Sequence, residues 1–220
     1  MTTPAPIQVA LVDDHRMLVE ALVERLNADS GLRVVLTADN GDDGLRGILQ
    51  TVPDVAVLDL ELPGRGAFDV AGEIYSRQKH TRVLFLTGYL SDVFVEQALK
   101  CNAYGYLLKG EPVEKLIASI KRVAAGERCF SPDVEGKLNH DPVRNRYTMR
   151  SESALSQLTN RQLEVLRHLA RGESVKEVAK SLQLSQKSVD SHKYRIMHKL
   201  GIHDRVKLTR YAIREGLMLP

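Results

Sequence analysis

Val55-Ala56-Val57-Leu58-Asp59-Leu60-Glu61-Leu62-Pro63-Gly64 decides how the chain folds. Four apolar residues lead into a carboxylate, and Pro and Gly follow within a turn's length. A short apolar run bounded by turn residues reads as a strand buried on both faces. In open parallel α/β sheets, ligands bind beyond the carboxyl ends of such strands, which is where Asp59 falls. Three further runs end in the same way. Ile7–Val12 leads into Asp13-Asp14, Arg82–Leu86 into Thr87, and Tyr104–Leu108 into Lys109. Four polar endings in one short domain describe one site.

Outward from that stretch, helices alternate with the strands. Leu18, Leu22 and Leu26 share a helical face before a strand at Leu32–Leu36. Gly41 to Gln50 reads as a short helix stopped before Pro53, and Phe68 to Arg77 as one that buries Val70, Ala71 and Ile74. Ser91 suits the N-cap of the next helix, and Pro112 suits the first turn of a helix running to about Ala125. Five β/α units in about 120 residues predict a flavodoxin-like, doubly wound α/β domain with a five-stranded parallel sheet. The periodicity then stops. Ser131 to about Gln157 is polar, with Asp-Pro at 141–142, and reads as a linker.

Helical spacing resumes at Thr159, which caps a helix carrying Leu163, Leu166 and Leu169. Ser174 caps a short helix with Val178, Ala179 and Leu182. After a tight turn, Ser185 caps a longer one with Val189, His192, Ile196 and Leu200, ended by Gly201. Asp204 starts a last helix that closes near Gly216. A short helix, a tight turn and a longer polar helix form the helix-turn-helix pattern. The expected organisation is a disordered lead-in at 1–6, a first domain at 7–128, a linker at 129–154 and an all-α domain at 155–220.

Charge divides along the same line. Residues up to Phe130 hold 14 Lys and Arg against 18 Asp and Glu, a net of −4. The remainder holds 17 against 10, a net of +7. An acidic front and a basic back imply different partners, with nucleic acid for the second. Charges interrupt every apolar stretch, so no membrane span is expected. The N-terminus carries no secretory pattern, so a cytoplasmic protein is expected. Cys101 and Cys129 have no CxxC spacing and are read as free thiols.

Asp13 and Asp14 beside Asp59 make an oxygen-rich site for a hard divalent cation such as Mg²⁺. An aspartate there can act as a nucleophile and become an aspartyl phosphate, with the metal and Lys109 offsetting the phosphoryl charge. Thr87 offers a hydroxyl to a phosphate oxygen, and Gly88 leaves room for the group to approach.

These residues carry a resemblance. Asp13-Asp14, Asp59, Leu62-Pro63-Gly64, Thr87-Gly88 and Gly105-Tyr106-Leu107-Leu108-Lys109 resemble the receiver domain of bacterial two-component response regulators. The resemblance implies that Asp59 is the phospho-acceptor served by a sensor histidine kinase. It implies that Asp14, Asp59 and the backbone carbonyl of Glu61 ligate Mg²⁺, with Asp13 assisting through water. Thr87 and Tyr106 would be the switch pair. Asn102 stands where many relatives have Gly, and Asn tolerates a left-handed helix end. Leu158 to about Leu217 resembles the LuxR/NarL-type helix-turn-helix domain. The matching residues are Leu158-Thr159, Arg161, Glu164-Val165-Leu166, Gly172, Lys176-Glu177-Val178-Ala179, Leu182, Leu184-Ser185, Ser188-Val189, His192, Ile196 and Lys199-Leu200; Gln162 replaces the common Glu.

The recognition helix would be Gln186 to Lys199. Lys187, Ser188 and Asp190 lie where base edges are read, and Ser191, Lys193, Arg195 and Lys199 where phosphates are met. His192 lies beside the apolar stripe. The expected function is a phosphorylation-dependent DNA-binding regulator of transcription, dimeric when phosphorylated, with RNA polymerase as a further partner. Its only chemistry would be self-phosphotransfer and autodephosphorylation, so it is not expected to be an enzyme in the ordinary sense. An aspartate-nucleophile phosphohydrolase of the haloacid-dehalogenase type is the rival, but its D-x-D-x-T motif is missing after Asp59.

Overall fold

The computed structural model describes residues 5–143, 146–150 and 154–217. Part of the expected lead-in (1–4), parts of the expected linker (144–145 and 151–153) and 218–220 lie outside the described residues. The first compact unit comprises residues 1–88 and 98–135, and the second Tyr89–Gln97 with residues 136–220.

In chain order the elements up to residue 135 are β1 (Ile7–Val12), α1 (Arg16–Asn27), β2 (Leu32–Ala38), α2 (Gly41–Thr51), β3 (Val55–Leu58), α3 (Ala67–Arg77) and β4 (Arg82–Thr87). They continue with α4 (Asp92–Lys100), β5 (Gly105–Leu108), α5 (Val113–Ala124), β6 (Cys129–Phe130) and α6 (Pro132–Glu135). All strands pair in parallel in the order β2-β1-β3-β4-β5-β6. The five expected strands are therefore joined by a sixth. Residues 129–130 lie within the expected linker and are too short to show a period.

Both faces of the sheet are buried, as continuous apolar strands require. Val9, Leu11, Val55, Val57, Leu84, Leu86 and Leu107 pack with Leu22, Leu26, Leu116, Ile120 and Val123 of α1 and α5. Ala10, Ala56, Leu58, Phe85 and Tyr106 are also buried, and Phe85 lies between the rings of Phe68 and Tyr106 at centroid distances of 5.2 and 6.4 Å. Gly105 is required where β5 runs between its neighbours: a Cβ there would lie 2.3 Å from Leu84 Cδ1 and 2.6 Å from the Cys129 carbonyl.

Part of the segment read as a linker forms regular structure. Besides β6 and α6, the second unit contains an antiparallel hairpin of β7 (Leu138–Asp141) and β8 (Arg146–Met149). Its strands are short and polar, so alternation is faint. Cross-strand pairing supplies what periodicity does not, with the rings of His140 and Tyr147 stacked at 4.2 Å. The turn between the strands begins at the Asp-Pro pair read as a loop.

The rest of the second unit is helical. A 3₁₀ turn (Ala154–Gln157) precedes α7 (Asn160–Ala170), α8 (Val175–Ser181), α9 (Gln186–Leu200) and α10 (Arg205–Arg214). Thr159, Ser174, Ser185 and Asp204 each cap the following helix by accepting a backbone N–H three residues on. Gln162 is no loss against Glu: its side chain accepts from the Thr159 N–H and completes a capping box.

The helix ends are equally local. After α7 the N–H of Gly172 reaches Leu169 O and that of Glu173 reaches His168 O, the paired bonds of a Schellman motif. The same pair closes α4 through Asn102, at φ 56°, as its residue type suggested. After α8 it runs through Gln183, at φ 53°, which sets the turn of the helix-turn-helix.

Val52 is the costly exception. It closes α2 at φ 47° and ψ 56°, is half-exposed, and is β-branched. Such a residue pays roughly 1–2 kcal/mol for a left-handed backbone. Val52→Gly should raise stability by about 1 kcal/mol, seen as a higher urea midpoint at unchanged slope. An equal or lower midpoint would mean that the contacts of the Val52 side chain outweigh its backbone strain.

Candidate functional site

The parallel register brings the polar strand endings together. Val12 pairs with Leu58, Leu58 with Phe85, and Thr87 with Leu108, so the next residue of β1, β3 and β5 leaves the sheet at one edge. The amide of Asp13 donates to Ala38 O (3.0 Å), that of Asp59 to Val12 O (2.9 Å) and that of Lys109 to Thr87 O (2.8 Å). Backbone hydrogen bonds thus fix three functional residues before any side chain is considered.

Asp59 is 2 % exposed and Asp13 6 %, whereas Asp14 is exposed. Lys109 Nζ lies 2.7 Å from Asp13 Oδ2 and 3.1 Å from Asp59 Oδ2. The second contact is an ion pair, and the Lys109 ammonium is the charge that faces the buried Asp59 Oδ2. Asp59 Oδ1 accepts from the Leu60 N–H at 2.8 Å. Burial pushes the Asp59 carboxyl above its ordinary value, against the pull of the Lys109 ammonium and with the repulsion of Asp13. Donor atoms from Asp13, Asp14, His15 and Asp59 fall within 4.8 Å of one another. A buried carboxylate in a cluster of hard oxygen donors fits a divalent cation.

Thr87 is fully buried at the end of β4, and Tyr106 is fully buried on β5. Gly88 is exposed, and a Cβ there would meet nothing within 4 Å, in keeping with the open approach read from sequence. Glu61 is partly buried in the loop after Asp59. That loop is pinned from the side: the Gly41 N–H donates to Pro63 O at 3.0 Å, and a Cβ on Gly41 would lie 1.9 Å from Arg65 O.

Two residues at this end were missed. Ser131, read as the start of the linker, accepts the Leu108 N–H at 3.0 Å and donates to Glu111 Oε2 at 2.9 Å, steadying the strand that delivers Lys109. No sequence signal marks it, because its role depends on the unforeseen β6. His15 contacts both members of the acidic pair; its place directly after them was the available signal. Neither thiol joins the site: both cysteines are free, and burial pushes Cys101 up to about 12.

In the second unit α9 follows the turn after α8, with Val189 and Ile196 buried beneath it. Arg161 pairs with Glu164 within α7 at 2.6 Å and ties that helix to the turn by donating to the Leu182 carbonyl. On α9, Lys187, Asp190, Ser191 and Arg195 are exposed and Lys193 is half-exposed. The other three named residues are engaged locally. The Ser188 hydroxyl meets that of Ser185 at 2.8 Å within the cap. His192 Nδ1 is buried without a hydrogen-bond partner, and burial, then Arg161 and Arg195, lowers its basicity. Lys199 Nζ donates to Gln157 O at 2.7 Å and to Gln162 Oε1 at 2.9 Å, binding its own domain.

A buried aspartate flanked by an acidic pair, a threonine and a lysine at the edge of a parallel sheet, followed by a helix-turn-helix, is the composition of a response regulator. Residues 9–121 match the response regulator receiver domain, and residues 156–212 match the bacterial regulatory proteins of the luxR family. The response regulator UvrY of Escherichia coli (strain K12) is 32 % identical over 212 residues, covering 96 % of this chain and 95 % of UvrY. The signal receiver domain of the putative response regulator NarL from Mycobacterium tuberculosis superposes with a TM-score of 0.55 at 33 % identity, over 56 % of this chain and all of that one. RcsB of Salmonella typhimurium shares the fold over 96 % of this chain and 98 % of its own, with a TM-score of 0.72 at 20 % identity. The chain belongs to the two-component response regulators that join a receiver domain to a LuxR-family DNA-binding domain and regulate transcription. Among the described residues no helix is long and apolar enough to cross a membrane.

An acid whose folded value lies above its unfolded one loses stability as pH rises between the two. The Asp59 charge is therefore a burden on the metal-free fold at neutral pH. Asp59→Asn, which leaves Lys109 paired with Asp13, should stabilise the metal-free protein by about 1 kcal/mol at pH 7, or about 2–4 °C in Tm. The advantage should shrink as pH falls towards 4. A variant less stable than wild type at pH 7 would refute it.

Proposed function

We propose that this chain is a cytoplasmic, phosphorylation-switched regulator in which Asp59 accepts a phosphoryl group from a sensor histidine kinase and α9 reads DNA. The observation that carries the proposal is the convergence of Asp13, Asp14, Asp59 and Lys109 at one edge of the sheet. An Asp59 oxygen attacks phosphorus, the bond to the kinase imidazole nitrogen breaks, and the electron pair leaves with the imidazole. Phosphoryl transfer of this kind needs positioning and charge stabilisation more than covalent assistance.

The carboxylates of Asp13, Asp14 and Asp59 and the backbone carbonyl of Glu61 would hold Mg²⁺. When bound, the ion offsets negative charge on the reacting oxygens. Lys109 already lies between two of these carboxylates and is placed to pair with a phosphate oxygen. Thr87 would supply its hydroxyl to another, and buried Tyr106 would report the change. The chain turns over no separate substrate; it takes and loses its own phosphoryl group.

On α9, Lys187 and Asp190 are exposed in the early turns where helix-turn-helix proteins read bases, and Ser191, Lys193 and Arg195 are disposed towards phosphates. Ser188, His192 and Lys199 position the helix instead. Helix-turn-helix proteins commonly read paired half-sites, which favours a homodimer as the phosphorylated form. RNA polymerase is the partner through which bound protein would alter transcription.

Asp59→Ala, incubated with acetyl phosphate and Mg²⁺, should show no phosphoryl adduct by intact-mass spectrometry while wild type does. An undiminished adduct on the variant would move the acceptor elsewhere.

The surface of α9 predicts three different DNA-binding phenotypes. Lys187→Ala should change which sequence is preferred by about 1–3 kcal/mol. Lys193→Ala should weaken all sequences alike and reduce the salt slope by about one. Lys199→Ala should leave the salt slope unchanged and lower stability by about 1 kcal/mol. Fluorescence anisotropy across a salt series, with thermal melts, separates the three; a reduced slope for Lys199→Ala would return it to the phosphate contacts.

A further inference from the structure

We infer that Tyr194 contacts a thymine methyl group in the major groove and sets sequence preference at a base that Lys187 does not reach. The inference rests on the reading of α9 as the DNA-reading helix and adds a base contact to it. Tyr194 is 72 % exposed, against 45 % for Tyr75, the next most exposed aromatic ring among the described residues. Its place on α9 is fixed by the core. Val189 and Ile196 are buried and mark the inner face of the helix. At 3.6 residues per turn, Tyr194 lies roughly 20° from Lys187 and roughly 160° from Ile196. Ser191 and His198 fall on the same outer ridge, and both are exposed. The phenol therefore stands opposite the core and offers its area outward.

The surroundings of the ring point to nucleic acid. Lys187, Lys193 and Arg195 flank it, and Asp190 is the one carboxylate on this part of the helix. Cations on either side of an outward ring suit the phosphates that border a groove. The floor of the major groove is lined by hydrogen-bonding groups except where thymine presents its 5-methyl, the base feature that an apolar side chain can cover. A phenol has the apolar body for that contact and needs no ionic partner.

The ring is also held before DNA arrives. The imidazole of His198, one turn further on, stacks beside it with centroids 6.5 Å apart and planes at 29°. A neighbour of this kind narrows the positions open to the phenol and lowers the ordering cost of binding. His198 is thus a positioning residue. Tyr194 stands about 10.5 Å beyond Lys187 along the helix axis. With the helix lying along the groove, that is about three base-pair steps of about 3.4 Å, so the two residues meet different bases.

The test uses the full-length protein treated with acetyl phosphate and Mg²⁺, and the duplex it selects from a random pool. Each thymine of that duplex is replaced in turn by uracil, which lacks only the 5-methyl. For one thymine in each half-site the replacement should weaken wild type about fourfold, the worth of one buried methyl. The same replacement should have no effect on Tyr194→Ala and should keep its effect on Tyr194→Phe. Tyr194→Ala should leave the salt slope unchanged, because no charge is removed. If no thymine separates wild type from Tyr194→Ala, the methyl contact is overturned. It is equally overturned if Tyr194→Phe behaves as Tyr194→Ala, since the hydroxyl would then make the contact. If Lys187→Ala and Lys193→Ala are also without effect, the reading of α9 falls with the proposal; if they act and Tyr194→Ala does not, the proposal falls alone.

Discussion

The first unit depends on one ammonium group holding two carboxylates that the backbone forces together. Parallel strands leave their sheet in register, so the residues after β1 and β3 must be neighbours. Here both are aspartates, and both are buried. Like charges in that position repel strongly in a medium less polarisable than water. Lys109, delivered by β5 and braced through Ser131, stands 2.7 and 3.1 Å from them. Its compensation is incomplete, since burial still raises the Asp59 carboxyl. A site left short of positive charge favours a cation, and a carboxylate that is poorly solvated is a better nucleophile than one in water.

What was legible in the sequence were features whose cause is local. Mostly buried apolar runs announced β1, β3, β4 and β5, and the polar residue that ends or follows each announced the site. Thr159, Ser174, Ser185 and Asp204 announced helix starts because a hydroxyl or carboxylate oxygen can satisfy an amide three residues on. Asn102 announced a left-handed end because its residue type tolerates one. The hidden features have causes distant in sequence or contrary to type. Ser131 acts only because β6 pairs with β5, and the hairpin at 138–149 is held by cross-strand contacts that leave little alternation. Val52 and Gln183 adopt left-handed backbones that their residue types do not advertise.

The polar face of α9 shows how far charge and position alone can carry a reading. Lys199 and Lys187 look alike in sequence, each a lysine on the same helix. The ammonium of Lys199 already serves the 3₁₀ turn and the capping-box glutamine, so it supports the helix from behind. Ser188 shares its hydroxyl with the cap, and burial beside two arginines lowers the basicity of His192. With those three engaged side chains set aside, Lys187, Asp190, Ser191, Lys193 and Arg195 make a narrower set than helical periodicity suggested, displaced towards the start of the helix.

The segment directly after Thr87 carries the last consequence. Tyr89–Gln97 belongs to the second compact unit, where Arg167 stacks 4.9 Å from the Tyr89 ring centroid and 5.1 Å from that of Phe94, and Arg171 donates to the Tyr89 hydroxyl at 2.8 Å. Thr87 and Tyr89 are separated by Gly88 alone. Any displacement of the backbone at Thr87 must either be absorbed at that glycine, where no side chain obstructs a change of φ or ψ, or be passed to Tyr89. Coupling can be no larger than the free energy by which the two arrangements of the tyrosine differ. A desolvated cation–π contact is worth about 2 kcal/mol and a hydrogen bond about 1 kcal/mol. That range matches the 1–3 kcal/mol of typical allosteric coupling. Were the backbone at Thr87 to move, contacts of that size would set the limit on what Tyr89 could transmit.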